Sequence, residues 1–286
     1  MMSKTLYIII GPTASGKTSF AIELAQRLGT EIISADSRQI FKEMNIGVAR
    51  PSSEELQAVE HHLIATWSIT EDYNVKRYET EAITIINSLF AKYDNLVLCG
   101  GSTLYVNSII NGIDDMPNTP NTLRSQLQSE LQTKGLASLL EELEKKDKKY
   151  YEFVDKQNHR RVLRALEVIR ITGKPFSDFR TSSKNERNFN VKIIGLERDR
   201  KELIDRIDKR VDIMIANGLI DEVRGLIPFK TLPALSTVGY RELFDYFDGK
   251  YSLDDAIELI KIHTRQYAKR QMTYFRKIDN IEWKKL

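Results

Sequence analysis

At 286 residues, with 41% hydrophobic and 29% charged residues, the chain has the profile of a soluble globular protein of one or two domains with ample apolar side chains for a core. A net charge of +3 barely favours a polyanionic partner, and one cysteine, Cys99, excludes an internal disulfide and points to a reducing compartment. No apolar stretch approaches the ~20 residues that cross a bilayer, and the N-terminus reads as a strand rather than a signal peptide, so a cytoplasmic location without membrane contact is expected.

Residues 5–10 read as a buried strand, and 16–28 as an amphipathic helix ending near Gly29. "EIISAD" (31–36) is a second strand closing on an acid. Residues 75–91 carry Tyr78, Ala82, Ile85, Ile86 and Leu89 at helical spacing. "NLVLCGG" (95–101) is a buried strand turned by two glycines into a helix over 103–110. Short apolar strands alternating with helices indicate an α/β core built on a parallel sheet. After the Pro/Asn/Asp linker at 112–122 the texture becomes helical and highly charged to 172, followed by a polar loop at 173–188. "VKIIGLE" (191–197) returns to strand, and helices are expected over 199–216, 218–227, 237–247 and 252–277, the last with Ser252 as N-cap. The expected organisation is therefore a core of residues 1–115 and 188–286, flanked by helices, with an all-helical insertion at 116–187.

The segment "GPTASGKT", Gly11, Pro12, Thr13, Ala14, Ser15, Gly16, Lys17 and Thr18, fits the phosphate-loop pattern G-x-x-x-x-G-K-[ST] between a strand and a helix. Its backbone amides from Thr13 to Thr18 are expected to converge on a phosphate at the positive helix end, with Lys17 on the outer phosphate oxygens and the Thr18 hydroxyl on Mg²⁺. The pattern does not say whether the ligand is a nucleoside triphosphate or another diphosphate. The strand 95–99 ends in Cys99-Gly100-Gly101, so the acid that an ATPase carries there is missing. Asp36, at the carboxyl end of its strand, is the available carboxylate, as general base, metal partner or N-cap. The adjacent pair His61-His62 has no third ligand near it in sequence and is assigned no metal.

Two stripes are basic: residues 156–187 hold nine Lys/Arg against three Asp/Glu, and residues 261–286 hold eight against two. On the first, Arg160, Arg161 and Arg164 lie opposite an apolar face of Val162, Leu163, Leu166 and Ile169. On the second, Lys261, Arg265 and Lys269 recur every fourth residue, while Tyr267, Met272 and Phe275 read as core.

The phosphate loop, "DSRQIF" (36–41), "MNIGVARP" (44–51), "GGSTLY" (100–105), "NHRRVLRALEVIRITGKPFSDF" (158–179), "GLIDEV" (218–223), "VGYRE" (238–242) and "RQYAKRQMTYFRK" (265–277) occur in the order and spacing of the tRNA dimethylallyltransferases, also called tRNA isopentenyltransferases, which the chain resembles over nearly its whole length. The resemblance implies that the loop holds the diphosphate of dimethylallyl diphosphate as a leaving group. It also implies transfer of the dimethylallyl group to N6 of the adenosine 3′ of the anticodon, in tRNAs reading codons that begin with U. The implied catalytic set is Asp36 as base, with Lys17, Thr18 with Mg²⁺, and Arg200 as a further cation on the departing diphosphate. The implied contacts to the tRNA anticodon stem-loop are Asp36, Ser37, Arg38, Gln39, Ser102, Arg124, Arg160, Arg161 and Arg164. Gln39 is expected to read a base edge, since an amide both donates and accepts. Ser102 stands where the family usually has threonine, and the chain resembles the shorter bacterial members, which lack a zinc finger; a monomer is expected. A small-molecule or nucleotide kinase is the competing reading, and it accounts for residues 11–36 alone.

Overall fold

The computed structural model describes residues 4–180 and 186–286, so residues 1–3 and part of the expected loop at 173–188 lie outside the described residues. β1 (Thr5–Ile10) leads into α1 (Lys17–Leu28), β2 (Ile32–Ser34), α2 (Ser53–Ala58), β3 (His61–His62), α3 (Val75–Leu89), β4 (Asn95–Cys99) and α4 (Thr103–Asn111). Four helices follow: α5 (Asn121–Lys146), α6 (Lys148–Phe153), α7 (His159–Thr172) and α8 (Phe176–Phe179). The chain then returns through β5 (Asn190–Glu197), α9 (Arg200–Ala216), α10 (Leu219–Gly225), α11 (Tyr240–Phe247), α12 (Leu253–Phe275) and β6 (Ile281–Lys285).

Among the described residues six strands form one sheet in the order β3-β2-β4-β1-β5-β6, every neighbouring pair parallel. Leu6, Ile8, Ile9 and Ile10 of β1 are wholly buried, as are Leu96, Val97 and Leu98 of β4. A strand covered by helices on both faces needs such a continuous apolar run rather than an alternating one. Parallel strands share a carboxyl edge, and β1, β2 and β4 bring Gly11, Asp36 and Ser102 to that edge.

The chain divides into two compact units, Met1–Ile110 with Glu186–Leu286, and Asn111–Asn185; the expected borders at 116 and 187 differ from these by a few residues. The second unit has its own core, in which Val162, Leu163, Leu166 and Ile169 of α7 join Leu127, Leu139, Leu143 and Tyr150. Its α5 is broken at Gly135, and Arg170 of α7 ties the two halves by donating to Glu130 and Glu142 at 2.6–3.0 Å.

Three expectations need correction. β2 stops at Ser34, so Asp36 sits beyond the strand in a turn. β3 and α2 were not expected, being too short to show a period. β6 follows the last helix and adds an outer strand beside β5; its "IEWKK" is half polar because it lies at a sheet edge, which hides it from an apolar-run search. Ser252 does cap α12, its hydroxyl accepting from Asp255 N–H.

Candidate active site

β1 delivers the chain into the loop Gly11–Thr18, and α1 carries it away. Gly11 has φ +152°, and a Cβ there would lie 2.6 Å from the Leu196 carbonyl oxygen of β5, an approach only glycine permits. Ala14 is left-handed at φ 63°, and Gly16 caps α1 without any side-chain hydrogen bond. The first amides of α1 are thus left uncapped by side chains at the positive end of the helix dipole. The expected convergence of all amides from Thr13 to Thr18 is narrower in the structure. Thr13 N–H donates to Gln271 Oε1 at 2.8 Å, and Ser15 N–H to the Pro12 carbonyl at 3.3 Å. One of these amides is thus engaged by α12 and the other within the loop, so the amides without such partners among the described residues lie towards α1. The Ser15 hydroxyl is buried with no partner among the described residues.

Lys17 Nζ donates to the Pro12 carbonyl at 2.6 Å. Burial pushes its pKa down to about 8; Cys99 opposes this, Arg210 adds to it and Asp36 opposes it. An arriving diphosphate would draw that proton back on. Burial also pushes the Cys99 thiol up to about 12, which keeps it neutral beside the lysine.

Three arginines hold the loop from outside, and the sequence reading missed all of them. Arg198 Nε donates to Ser15 O at 3.0 Å, Arg206 Nε to Ala14 O at 2.8 Å, and an Arg210 guanidinium nitrogen to Thr13 Oγ1 at 3.3 Å. Arg206 and Arg210 are one turn apart on α9, a spacing that was visible in the sequence. Burial lowers the Arg210 pKa, and its neighbour Arg206 lowers it further. Arg200, expected as the further cation, is exposed at the first position of α9. It lines a cavity of ≈ 640 Å³ with Pro12, Arg198, Lys269 and Met272, and no hydrogen bond joins it to the loop among the described residues.

On the facing turn, Asp36 Oδ1 accepts from the N–H groups of Arg38 (2.9 Å) and Gln39 (3.3 Å). Its capping therefore serves a turn rather than a helix, and uses one carboxylate oxygen. Ser102, from the turn after β4, accepts from Ser37 N–H through its hydroxyl at 2.8 Å and donates to Ser37 Oγ at 3.1 Å. These bonds bring Asp36, Ser37 and Ser102 into one group. Arg38 is half-buried beside Asp36; burial lowers its pKa and the carboxylate opposes this. Gln39 differs from expectation: its Nε2 donates to the carbonyls of Val48 (3.2 Å) and Ala49 (2.9 Å), so its donors are committed and its Oε1 remains as an acceptor. The loop it holds is fixed from the other side by Glu222, which accepts from the N–H groups of Asn45, Ile46 and Gly47 and from the Tyr240 hydroxyl. The motifs around Glu222 and Tyr240 thus act by shaping that loop. Tyr267, expected in the core, is 36% exposed.

The basic helices divide in two. Arg160 and Arg161 are exposed. Arg164 donates to Thr119 Oγ1 (2.6 Å), Glu167 (2.9 Å) and the Pro117 carbonyl (3.3 Å), and Arg124 lies 3.8 Å from Glu167. On α12, Lys261 pairs with Asp212 and Glu258, and Arg265 with Asp208, while Lys269 is exposed. Part of the expected basic face is therefore neutralised by carboxylates within the fold.

Among the described residues no group of three His, Cys, Asp or Glu could hold a metal. Thr18, half-buried at the start of α1, suits Mg²⁺ carried mainly by phosphate oxygens and water. Among the described residues no helix is long and apolar enough to cross a membrane.

Comparison with known proteins identifies the family. The profile of the IPP transferase family matches residues 39–278. A tRNA dimethylallyltransferase of Christiangramia forsetii is 50% identical, covering 99% of this chain and 93% of that protein. A tRNA dimethylallyltransferase 2 of Parabacteroides distasonis is 43% identical, covering 98% and 93%. Among solved structures, the full-length tRNA isopentenylpyrophosphate transferase of Bacillus halodurans superposes with a TM-score of 0.71 at 36% identity, covering 99% of this chain and 90% of that one. A eukaryotic dimethylallyltransferase acting on tRNA gives 0.84 at 26% identity, covering 99% and 74%. The chain belongs to the IPP transferase family, that of the tRNA dimethylallyltransferases.

Proposed function

We propose that the chain transfers a dimethylallyl group from dimethylallyl diphosphate to N6 of the adenosine 3′ of the anticodon, in tRNAs reading codons that begin with U, and releases diphosphate. The observation that carries the site reading is the meeting, at one sheet edge, of a cationic phosphate loop and a turn that presents a carboxylate. The N6 lone pair forms the new bond to C1 of the dimethylallyl group as the C1–O bond to diphosphate breaks with its electron pair. Asp36, through the oxygen not used in its turn, takes the N6 proton. Negative charge grows on the leaving diphosphate, facing Lys17, the first amides of α1, and the arginines of α9. Arg206 and Arg210 take the role of further cation more directly than Arg200, because they already bond to the loop. Mg²⁺ held by Thr18 and the diphosphate would add Lewis-acid neutralisation of that charge.

The acceptor adenosine must leave its stack to reach this edge. Gln39 Oε1, an acceptor once its donors are committed, suits a base edge that presents an amine. Exposed Arg160 and Arg161 suit phosphates of the anticodon stem-loop. A tRNA substrate implies a cytoplasmic site of action. Mass spectrometry of nucleosides from an anticodon stem-loop incubated with protein, Mg²⁺ and dimethylallyl diphosphate tests the proposal. Isopentenylated adenosine supports it. Unmodified RNA, together with hydrolysis or transfer of ATP phosphate in a parallel incubation, would favour the kinase.

A further inference from the structure

Gln271 lies on α12, 3% exposed, a buried neutral side chain in a helix with many basic ones. Its Oε1 accepts from Thr13 N–H of the phosphate loop at 2.8 Å. Its Nε2 donates to the Gly101 carbonyl at 2.8 Å, one residue before Ser102. Ser102 in turn accepts from Ser37 N–H beside Asp36. One amide therefore joins the loop read as holding the diphosphate to the turn read as facing the adenosine. A Cβ at position 101 would lie 2.4 Å from Gln271 Nε2, so the second glycine of "GGS" is the room this bridge needs. The bridge is directional: one end must accept and the other donate, which a carboxylate or a hydrocarbon cannot do.

We infer that Gln271 is a positioning residue for the transfer, setting the spacing between the diphosphate loop and the Asp36 turn by clamping Thr13 and Gly101. The inference rests on the reading of those two segments as donor and acceptor sites. C1 of the donor and N6 of the acceptor are held by different segments, so their approach depends on how those segments are registered. Misplacement of reacting atoms by about 1 Å costs on the order of 10²-fold in rate. The clamp touches neither substrate, so its loss acts on the rate of the bound complex rather than on assembly of that complex.

The test uses the full chain with dimethylallyl diphosphate and an anticodon stem-loop, reading single-turnover transfer and both binding equilibria. Gln271→Met keeps the length and removes both hydrogen bonds. Its expected transfer rate is lower by on the order of 10²-fold with donor and RNA affinities little changed. Gly101→Ala displaces the amide and should give a similar loss, and the double variant should lose little more, since both break one device. Gln271→Glu supplies a pH readout that a purely structural role would not move. When protonated, its hydroxyl donates to Gly101 and its carbonyl accepts from Thr13; when ionised, it faces the Gly101 carbonyl with an acceptor. The ratio of its rate to the parent rate should fall as pH rises. A flat ratio overturns the inference, as does a folded Gln271→Met chain that transfers at the parent rate. Lys17→Met in the same series separates the two claims: if it binds donor normally, the reading of the loop as donor site has failed rather than the clamp.

Discussion

The cations around the phosphate loop and those of the basic helices differ in what they bond to. Arg198, Arg206 and Lys17 donate to backbone carbonyls, and Arg210 to a hydroxyl. Arg164, Lys261 and Arg265 pair with carboxylates. A carbonyl orients a cation without cancelling its charge, whereas a carboxylate does both. The first group keeps its charge available to a ligand, apart from Arg198, which also pairs with Glu202. The second group is largely consumed inside the fold: Lys261 and Arg265 tie α12 to α9, and Arg164 pairs within α7 and with the 117–119 segment. Counting basic residues along a stripe cannot make this distinction; reading their partners can.

The largest expected effect lies at the carboxylate that faces these cations. Asp36→Asn still caps the turn, because an amide oxygen accepts the N–H groups of Arg38 and Gln39. It cannot take a proton from N6. Single-turnover transfer should fall by about 10²–10⁴-fold with melting temperature and donor affinity near the parent's. A fall in melting temperature with an unchanged rate would mark Asp36 as a turn cap alone.

Next in size is Arg210→Gln, which keeps a donor to Thr13 and removes the charge. Transfer should slow by about 10²–10³-fold, the usual worth of one group stabilising a developing anion. Arg265→Gln, by contrast, removes a cation already paired with Asp208 and should cost mainly stability, read as a lower melting temperature. Equal rate losses in the two variants would break the comparison.

Lys17 adds a pH signature. Its folded pKa, about 8, lies below the ordinary 10.5, so the unfolded chain binds the extra proton between those values. This group therefore makes the protein more stable as pH rises through that window. Donor binding runs the other way. The charged lysine attracts diphosphate, so the dissociation constant measured by calorimetry should climb above pH ~8, by up to about tenfold per unit. In Lys17→Met the affinity should be weak and flat across the same range.

The smallest effect concerns the helical unit. Neutralising exposed Arg160 or Arg161 should weaken anticodon stem-loop binding modestly and flatten its salt dependence by about one unit of slope for each lost contact. Arg164→Gln should leave that slope alone and lower the stability of the unit, since Arg164 is engaged with Glu167 and Thr119. A loss of slope at Arg164 would show that it exchanges its internal partners for phosphate.

Much of the core was legible because its signals are local. The apolar runs of β1 and β4, the loop between β1 and α1 and the acid at Asp36 each sit within a few residues of what gives them meaning. The unread parts depend on distance or on edges. Gln271 meets Thr13 across 258 residues, and Glu222 meets Ile46 across 176, which no periodicity reveals. β6 carries polar residues because it is an outer strand, and so resembles a tail. Gln39 was assigned an amide's full capacity because the carbonyls of Val48 and Ala49 that occupy its donors are brought to it by a folded loop. Arg206 and Arg210 went unread because only the fold shows that the helix begun by Arg200 turns them towards the loop.

The central claim is that the loop at Gly11–Thr18 receives a prenyl diphosphate as leaving group. Thermal unfolding with Mg²⁺ and equal concentrations of dimethylallyl diphosphate or ATP tests it most directly, because a ligand that binds the native state stabilises it by an amount that grows with the logarithm of its concentration over its dissociation constant, so at equal concentration the tighter ligand gives the larger shift. Dimethylallyl diphosphate should give the larger shift, and Lys17→Met should abolish it. A larger shift with ATP, lost in the same variant, would contradict the account.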